Sequence, residues 1–163
     1  MHQQNKDKSI YIVLDNVKYS NNLGPIFRLI DGLGIKKLYI CKEKTTSFNN
    51  SQINILNKTS RGTFNHVDWE LSPSTYETVK KLKENGVYII GIETGDKSLE
   101  ITKTQFQYPL ALILGKEDDG IADNIIKMCD KLVKIPMKGV GKSLNVSTAA
   151  AIAVYEAIKQ LPD

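Results

Sequence analysis

LALILGKEDDG, residues 110–120, is the stretch that decides the fold. Its first five residues form an unbroken apolar run, which is typical of a strand buried inside a parallel sheet. Gly115 then begins a polar loop that ends at Gly120. A buried strand that leads directly into a glycine-bounded loop predicts a ligand site beyond the carboxyl end of that strand.

Two further apolar runs lead into loops of the same kind. The run 87–92 precedes the loop 93–96, and the run 132–135 precedes the glycine-rich loop 136–143. Ordinary turn chemistry explains any one of these loops. Loops at one edge of a sheet build a single pocket, and glycine lets backbone approach a ligand closely. Together, the three loops predict one shared site.

The rest of the chain alternates between strand and helix patterns. Further strands are predicted at 10–14 and 37–40, and helices at 25–33, 49–57, 74–84, 121–128 and 146–158. Pro25 is expected at the first helical position, and Gly34 is expected to end that helix. This alternation predicts an α/β fold with a mostly parallel sheet flanked by helices. We expect one domain over residues 1–163, with 1–8 flexible.

Composition excludes several classes of protein. Lys plus Arg number 22 against 18 Asp plus Glu, a net charge of +4 that suits contact with a polyanion. Cys41 and Cys129 form no Cys-x-x-Cys pair, so no metal site is expected and both are interpreted as inert thiols. Residues 1–8 lack the apolar core of a signal peptide, and no apolar run is long enough for a membrane span. We therefore expect a cytoplasmic protein without membrane contact.

Three motifs resemble those of a known family. The first is Asn22-Leu23-Gly24-Pro25-Ile26-Phe27-Arg28, the second is 112–120, and the third comprises Ile135-Pro136-Met137 and Ser143-Leu144-Asn145-Val146-Ser147 before a long helix. In this order they resemble the SpoU-type (TrmH-like) branch of the SPOUT methyltransferases, which modify tRNA and rRNA. The resemblance spans nearly the whole chain.

The resemblance implies a fold, a reaction and partners. It implies a deep carboxyl-terminal trefoil knot over about 87–160, an exception to the general rule against knots. It implies methylation of a ribose 2′-hydroxyl of RNA by S-adenosyl-L-methionine, no metal, and a homodimer. The residues it assigns to the cofactor are Thr94, Gly95, Leu114, Gly115, Ile135, Met137 and Leu144.

The resemblance also assigns catalytic roles to Arg28, Asn22, Glu117, Ser143 and Asn145. A guanidinium titrates above about 12, so Arg28 is expected to position a phosphate or stabilise the forming alkoxide rather than act as a base. Each of the others has a structural alternative. Asn22, Ser143 and Asn145 are typical helix caps. Glu117 precedes Asp118 and Asp119, a run that also suits a solvated turn or a divalent-metal site.

Basic residues near these loops predict a rim that holds RNA phosphates; they are Lys18, Arg28, Lys116, Lys138 and Lys142. Only about nine residues precede the first strand, whereas many members of the family carry an additional RNA-binding domain there. We therefore expect the catalytic domain itself to recognise the RNA, and a tRNA rather than an rRNA as substrate.

Two alternatives remain open. The segment 136–143 differs by one residue from the phosphate-binding loop Gly-x-x-x-x-Gly-Lys-Ser, and Asp15 after its apolar run matches a magnesium-binding Asp. Against this nucleotide-binding hypothesis, Pro136 stands where that loop needs a glycine. The second alternative is an RNA-binding module that has lost catalysis, and the intact Arg28 and Glu117 argue against it.

Overall fold

The computed structural model describes residues 7–18 and 21–162. Residues 1–6, most of the segment predicted to be flexible, lie outside these ranges. Seven strands form one sheet: β1 (Ile10–Asp15), β2 (Lys37–Cys41), β3 (Trp69–Ser72), β4 (Tyr88–Ile92), β5 (Leu99–Glu100), β6 (Leu110–Leu114) and β7 (Lys131–Lys134). Their order across the sheet is β3-β2-β1-β6-β4-β7-β5, and every described ladder is parallel.

Helices cover both faces of this sheet. They are α1 (Leu23–Leu33), α2 (Asn50–Thr59), α3 (Thr75–Glu84), α4 (Asp123–Ile126) and α5 (Val146–Lys159), with short 3-10 turns at Thr63–Asn65 and Ile101–Lys103. One core cluster joins α1, α2 and α5 to the sheet, and the other joins α3 and α4 to it. The predicted α/β architecture with a parallel sheet is therefore confirmed.

The central strand β6 supplies both cores because successive side chains point to opposite faces. In β6, Leu110, Leu112 and Leu114 enter the first cluster, whereas Ala111 and Ile113 enter the second. All five are buried, as expected for a strand covered by helices on both sides. The apolar run that suggested the fold is thus the centre of the sheet.

Five elements differ from the prediction. Helix α1 begins at Leu23, so Pro25 is its third residue; this is tolerated because the first helical N–H groups have no partner inside the helix. Strands β3 and β5 were not predicted, since each is short and one is at either edge of the sheet. Helix α4 has only four residues. Strand β7 lies one residue earlier than predicted and excludes Ile135.

Because the sheet is parallel, the loops that follow its strands meet at one edge. Strand β6 lies between β1 and β4, with Leu114 paired to Leu14 on one side and to Ile92 on the other. The loop after β6 therefore lies between the loops after β1 and β4. No helix in the described ranges is long and apolar enough to span a membrane.

Candidate active site

A cleft of about 320 Å³ opens at this edge, between the ends of β4, β6 and β7 and the start of α5. This volume is at the lower end of the range of sites for drug-sized ligands, about 300–1,000 Å³. Its lining residues are Ile92, Glu93, Thr94, Leu114, Gly115, Lys116, Glu117, Asp118, Asp119, Gly120, Lys134, Ile135, Met137, Lys142, Ser143, Leu144, Val146 and Ala149. All three predicted loops contribute to it, so the sequence correctly predicted one shared site.

Six of the seven residues assigned to the cofactor line this cleft. They are Thr94, Leu114, Gly115, Ile135, Met137 and Leu144. Gly95 follows Thr94 in the same exposed loop but is not among the lining residues. The structure therefore brings together residues from the three predicted loops, and their role toward a cofactor remains a proposal.

A chain of hydrogen bonds links the three sequence motifs beside the cleft. Asn22 Nδ2 donates to Glu117 Oε1 at 2.7 Å, and Asn145 Nδ2 donates to Asn22 Oδ1 at 2.7 Å. Asn145 Oδ1 in turn accepts from the backbone N–H and the hydroxyl of Ser147 at 2.9 and 2.6 Å. A carboxylate only accepts hydrogen bonds, so Glu117 fixes the orientation of both amides.

These bonds test the capping interpretation of the two asparagines. Asn145 is the N-cap of α5, because its side chain accepts the Ser147 N–H, and it also contacts the site. Asn22 occupies the N-cap position of α1, but its side chain does not cap that helix. The amide of Asn22 instead joins Glu117 to Asn145. Capping by the Asn22 side chain is therefore not observed.

Glu117 differs from its acidic neighbours. The side chains of Asp118 and Asp119 are 74% and 75% exposed, whereas Glu117 is half-buried. Its Oε2 atom is buried and has no hydrogen-bond partner within the described ranges. An unpartnered buried acceptor is costly, and in native proteins it calls for a functional explanation. The solvated-turn interpretation fits the two aspartates and not Glu117.

Glycines shape the turn that carries Glu117. Lys116 and Gly120 exchange two backbone hydrogen bonds of 3.0 Å, which close the turn. Gly120 has φ +70°, a conformation that favours glycine. A Cβ added at Gly115 would lie 2.1 Å from the carbonyl carbon of Gly120. Both ends of the turn thus require glycine, one for its backbone angle and the other for space.

Arg28 and Ser143 do not take part in the described hydrogen bonds between the motifs. Arg28 is exposed on α1, about 9 Å along the helix axis from Asn22, and is not among the cleft-lining residues. Ser143 lines the cleft and is exposed, with no side-chain hydrogen bond inside the described ranges. Arg28 is therefore not part of the cleft wall, and its catalytic role stays a prediction.

The predicted basic rim is partly neutralised. Lys18 forms a 2.6 Å ion pair with Asp118, and Lys116 lies 3.8 Å from Asp119. The hydrogen bond between Lys18 and Asp118 raises the pKa of the lysine and lowers the pKa of the carboxyl group. Both groups are exposed, so the pair contributes little to stability. Arg28, Lys138 and Lys142 form no ion pair in the part of the chain that the structure describes.

Two acidic residues at this edge were not among the residues assigned to catalysis or to the cofactor. Asp15 is 2% exposed, and its carboxylate accepts hydrogen bonds from Thr75, Asn16 and Ala122. Glu93 accepts from the backbone N–H groups of Thr94 and Ile121. With these donors, Asp15 is not arranged as a magnesium ligand, which removes that support for the nucleotide-binding hypothesis. The sequence pattern that could have identified these two residues is an acidic residue directly after an apolar, strand-like run.

These features define an α/β protein with a ligand cleft at the carboxyl edge of a parallel sheet and three motifs joined by hydrogen bonds. The family described as "SpoU rRNA Methylase family" matches residues 9–155. The chain belongs to this family, which confirms the resemblance. Membership in this fold family implies the trefoil knot, and the bounds of the knot at about 87–160 remain a prediction.

Three relatives illustrate the match. The 23S rRNA (guanosine-2′-O-)-methyltransferase RlmB of Vibrio parahaemolyticus is 31% identical over 151 residues, covering 93% of this chain and 59% of the relative. The A. aeolicus TrmH/SpoU tRNA modifying enzyme superposes with a TM-score of 0.81 at 28% identity, covering 95% of this chain and 76% of the other.

The third relative is the SpoU methyltransferase AviRb of Streptomyces viridochromogenes, solved in complex with the cofactor AdoMet. It superposes with a TM-score of 0.82 at 23% identity, covering 95% of this chain and 58% of the other, and at this identity it shows the fold alone. The chain spans about 60% of the length of the curated relatives it matches.

Proposed function

We propose that this chain transfers the methyl group of S-adenosylmethionine to a ribose 2′-hydroxyl of RNA. The observation that carries the proposal is the hydrogen-bonded chain Glu117–Asn22–Asn145 beside the cleft. It joins the three motifs of the family in one constellation. Membership in the SpoU family supports the same reaction class.

The lining of the cleft fits S-adenosylmethionine. Apolar side chains such as Leu114, Ile135 and Leu144 suit the adenine ring. When bound, this cofactor supplies an activated methyl group on a sulfonium. Because sulfur loses its positive charge as the methyl group leaves, an apolar and water-poor wall favours transfer.

The protein's own task is then mainly alignment. The unpartnered Oε2 of Glu117 is positioned to accept a hydrogen bond from the target hydroxyl or from an arginine. Arg28 is assigned to positioning an RNA phosphate, which accepts the proton that leaves the 2′-hydroxyl, and to stabilising the negative charge that develops on the ribose oxygen. Asn22 and Asn145 hold the Glu117 carboxylate in place, and Ser143 is assigned to the substrate side of the cleft.

A homodimer is part of this proposal. Helix α5 exposes Ile152 and Tyr155, which are 38% and 65% accessible, and the neighbouring α1 exposes Leu33 at 37%. A second copy over these helices would bury apolar surface and cover Arg28. Light scattering coupled to size-exclusion chromatography tests this, because a monomeric mass at micromolar concentration contradicts it.

The class of RNA is a finer proposal. We propose tRNA before rRNA, as predicted from the sequence, together with a cytoplasmic location where such RNA is found. Both RNA classes occur among the names of the relatives, so each must be assayed.

Methyl transfer from tritiated S-adenosylmethionine to unmodified tRNA and rRNA tests the proposal. A 2′-O-methyl group makes the adjacent phosphodiester resistant to alkali, so label in alkali-resistant dinucleotides identifies ribose methylation. Arg28→Ala is expected to lower transfer by about 100-fold or more while leaving cofactor affinity within about twofold. No label in either RNA overturns the proposed reaction. Undiminished transfer by Arg28→Ala overturns the role of Arg28.

A further inference from the structure

Two carboxylates flank the end of the central strand β6. Leu14, Leu114 and Ile92 lie side by side in β1, β6 and β4. The next residue along each chain is Asp15, Gly115 and Glu93, respectively. The register of the three strands therefore places an acidic residue on either side of the point where β6 leads into the turn 116–120.

Both carboxylates accept hydrogen bonds from the backbone that leaves this turn. Glu93 Oε2 accepts the N–H of Ile121 at 3.0 Å, and Asp15 Oδ2 accepts the N–H of Ala122 at 2.9 Å. These are successive peptide groups held from opposite sides. Hydrogen bonds from backbone N–H to a carboxylate are among the stronger ones in proteins.

The remaining oxygen of each carboxylate is also engaged. Glu93 Oε1 accepts the N–H of Thr94 at 2.9 Å. Asp15 Oδ1 accepts from the Thr75 hydroxyl at 2.6 Å and from Asn16 Nδ2 at 3.1 Å. All four oxygens therefore serve internal contacts. This distinguishes Asp15 and Glu93 from Glu117, which keeps one buried oxygen without a partner.

The fit between Glu93 and the turn is tight. A Cβ added at Gly120 would lie 2.3 Å from Glu93 Oε2. The carboxylate can thus approach the turn only because residue 120 is glycine. This contact and the bond to Ile121 hold the turn that carries Glu117.

We propose that Asp15 and Glu93 are positioning residues that clamp the turn 116–120 and so set the place of Glu117 in the cleft. The effect of this clamp on catalysis rests on the proposed function, methyl transfer to RNA. Its two arms have different effects, because Glu93 also holds the Thr94 N–H at the wall of the cleft, whereas Asp15 contacts the segment after β1 that leads to Asn22. Glu93 therefore influences cofactor binding, and Asp15 influences the reaction step.

Isosteric amides test each arm. Glu93→Gln and Asp15→Asn keep the size of the side chain. The glutamine turns an NH2 group toward the N–H of Thr94 or Ile121, and the asparagine turns one toward the Ala122 N–H or toward the Thr75 and Asn16 donors. Asp130→Asn is a matched control: Asp130 Oδ2 accepts the Ile89 N–H at 2.8 Å, at the opposite edge of the sheet. All three variants change one carboxylate that binds a backbone N–H. Asp130→Asn also loses the 2.8 Å ion pair with Lys83, so a general effect of reduced fold stability on activity would appear in this control as well.

Steady-state methyl transfer and hydrogen exchange of the peptide covering 116–122 are measured for each variant. Glu93→Gln is expected to raise the KM for S-adenosylmethionine about tenfold, and Asp15→Asn to lower kcat about tenfold with that KM within about twofold. Both should speed exchange at 116–122, and Asp130→Asn should change neither KM, kcat nor that exchange.

The outcomes separate the clamp from the proposed function. If the wild type transfers methyl groups but Glu93→Gln and Asp15→Asn match Asp130→Asn in KM, kcat and exchange, the clamp is wrong. If the wild type neither binds the cofactor nor transfers methyl groups, the proposed function fails, and the catalytic role of the clamp fails with it. Faster exchange at 116–122 in the two variants then still supports the clamp as a structural device.

Discussion

Replacing Glu117 with Gln separates the structural use of this side chain from its use in the reaction. Glutamine keeps an oxygen for Asn22 Nδ2, so the chain to Asn145 can persist. The buried Oε2, which has no described partner, becomes an NH2 group. The variant therefore removes an unpartnered buried carboxylate oxygen without removing the side chain.

The expected change in stability follows from two opposing effects. An unsatisfied buried polar group costs about 1–3 kcal/mol, and more when it is charged. Replacing the charge-assisted bond from Asn22 by a neutral one costs about 1 kcal/mol. The NH2 group that replaces Oε2 also lacks a described partner there, so only the extra cost of the charge is relieved. The free energy of unfolding should thus stay within about 1 kcal/mol of the wild-type value. Each kcal/mol corresponds to about 2–4 °C in Tm for a domain of this size.

The expected change in activity is much larger than the change in stability. A donor now faces the place where an acceptor is needed, so kcat should fall by about 100-fold. Thermal unfolding by circular dichroism and methyl transfer at saturating cofactor measure the two effects. Glu117→Ala is the control, because it also removes the bond to Asn22 and should lower Tm. A lower Tm with undiminished kcat in Glu117→Gln would show that Glu117 is only structural.

Three further predictions follow from the charges, the turn and a thiol. With Arg28, Lys138 and Lys142 as the rim cations that form no ion pair in the described ranges, RNA affinity should fall about 20-fold between about 50 and 200 mM salt, and filter-binding curves that coincide would contradict this. Gly120→Ala should lower the free energy of unfolding by about 2 kcal/mol or more in urea titrations, whereas Gly139→Ala, whose added Cβ meets nothing within 4 Å, should not. Burial raises the pKa of the Cys41 thiol from 9.0 to about 11 in the folded protein. The free energy of unfolding should therefore not depend on this thiol below pH 9.0 and should decline as the pH rises from 9.0 toward 11. A free energy of unfolding, measured in urea, that stays level above pH 9.0 would refute this.

Strands and helices with long apolar runs were predictable from sequence because their burial leaves a periodic pattern. Strand β6 and helix α5 have this property, and both were found within one residue of the expected bounds. Strand β3 could not be predicted in this way. Only Ser72 of its four residues is buried, and its strand conformation depends on pairing with β2. Edge pairing is a tertiary property that a short segment does not encode alone.

The residues of the candidate site were predictable from the sequence, but the hydrogen bonds between them were not. The motifs identified Asn22, Glu117 and Asn145, yet the same residues also fitted capping and turn roles until the bonds between them were seen. The contacts of the clamp could not be predicted from the sequence for a different reason. Asp15 and Glu93 meet residues 121–122 only because β6 lies between β1 and β4, and that strand order is not contained in any local pattern.

The distribution of satisfied and unsatisfied groups at this edge supports a preorganised site. The turn 116–120 is held by its own two backbone bonds, by the lack of space at Gly115 and by two carboxylates with no oxygen left over. The buried Glu117 oxygen without a described partner lies on this same turn. A rigid support costs nothing to reorganise when a ligand arrives, so it allows one costly unpartnered atom to be kept ready for use. Loosening the turn should therefore allow Glu117 to find another partner, and the site would lose activity while gaining an internal hydrogen bond.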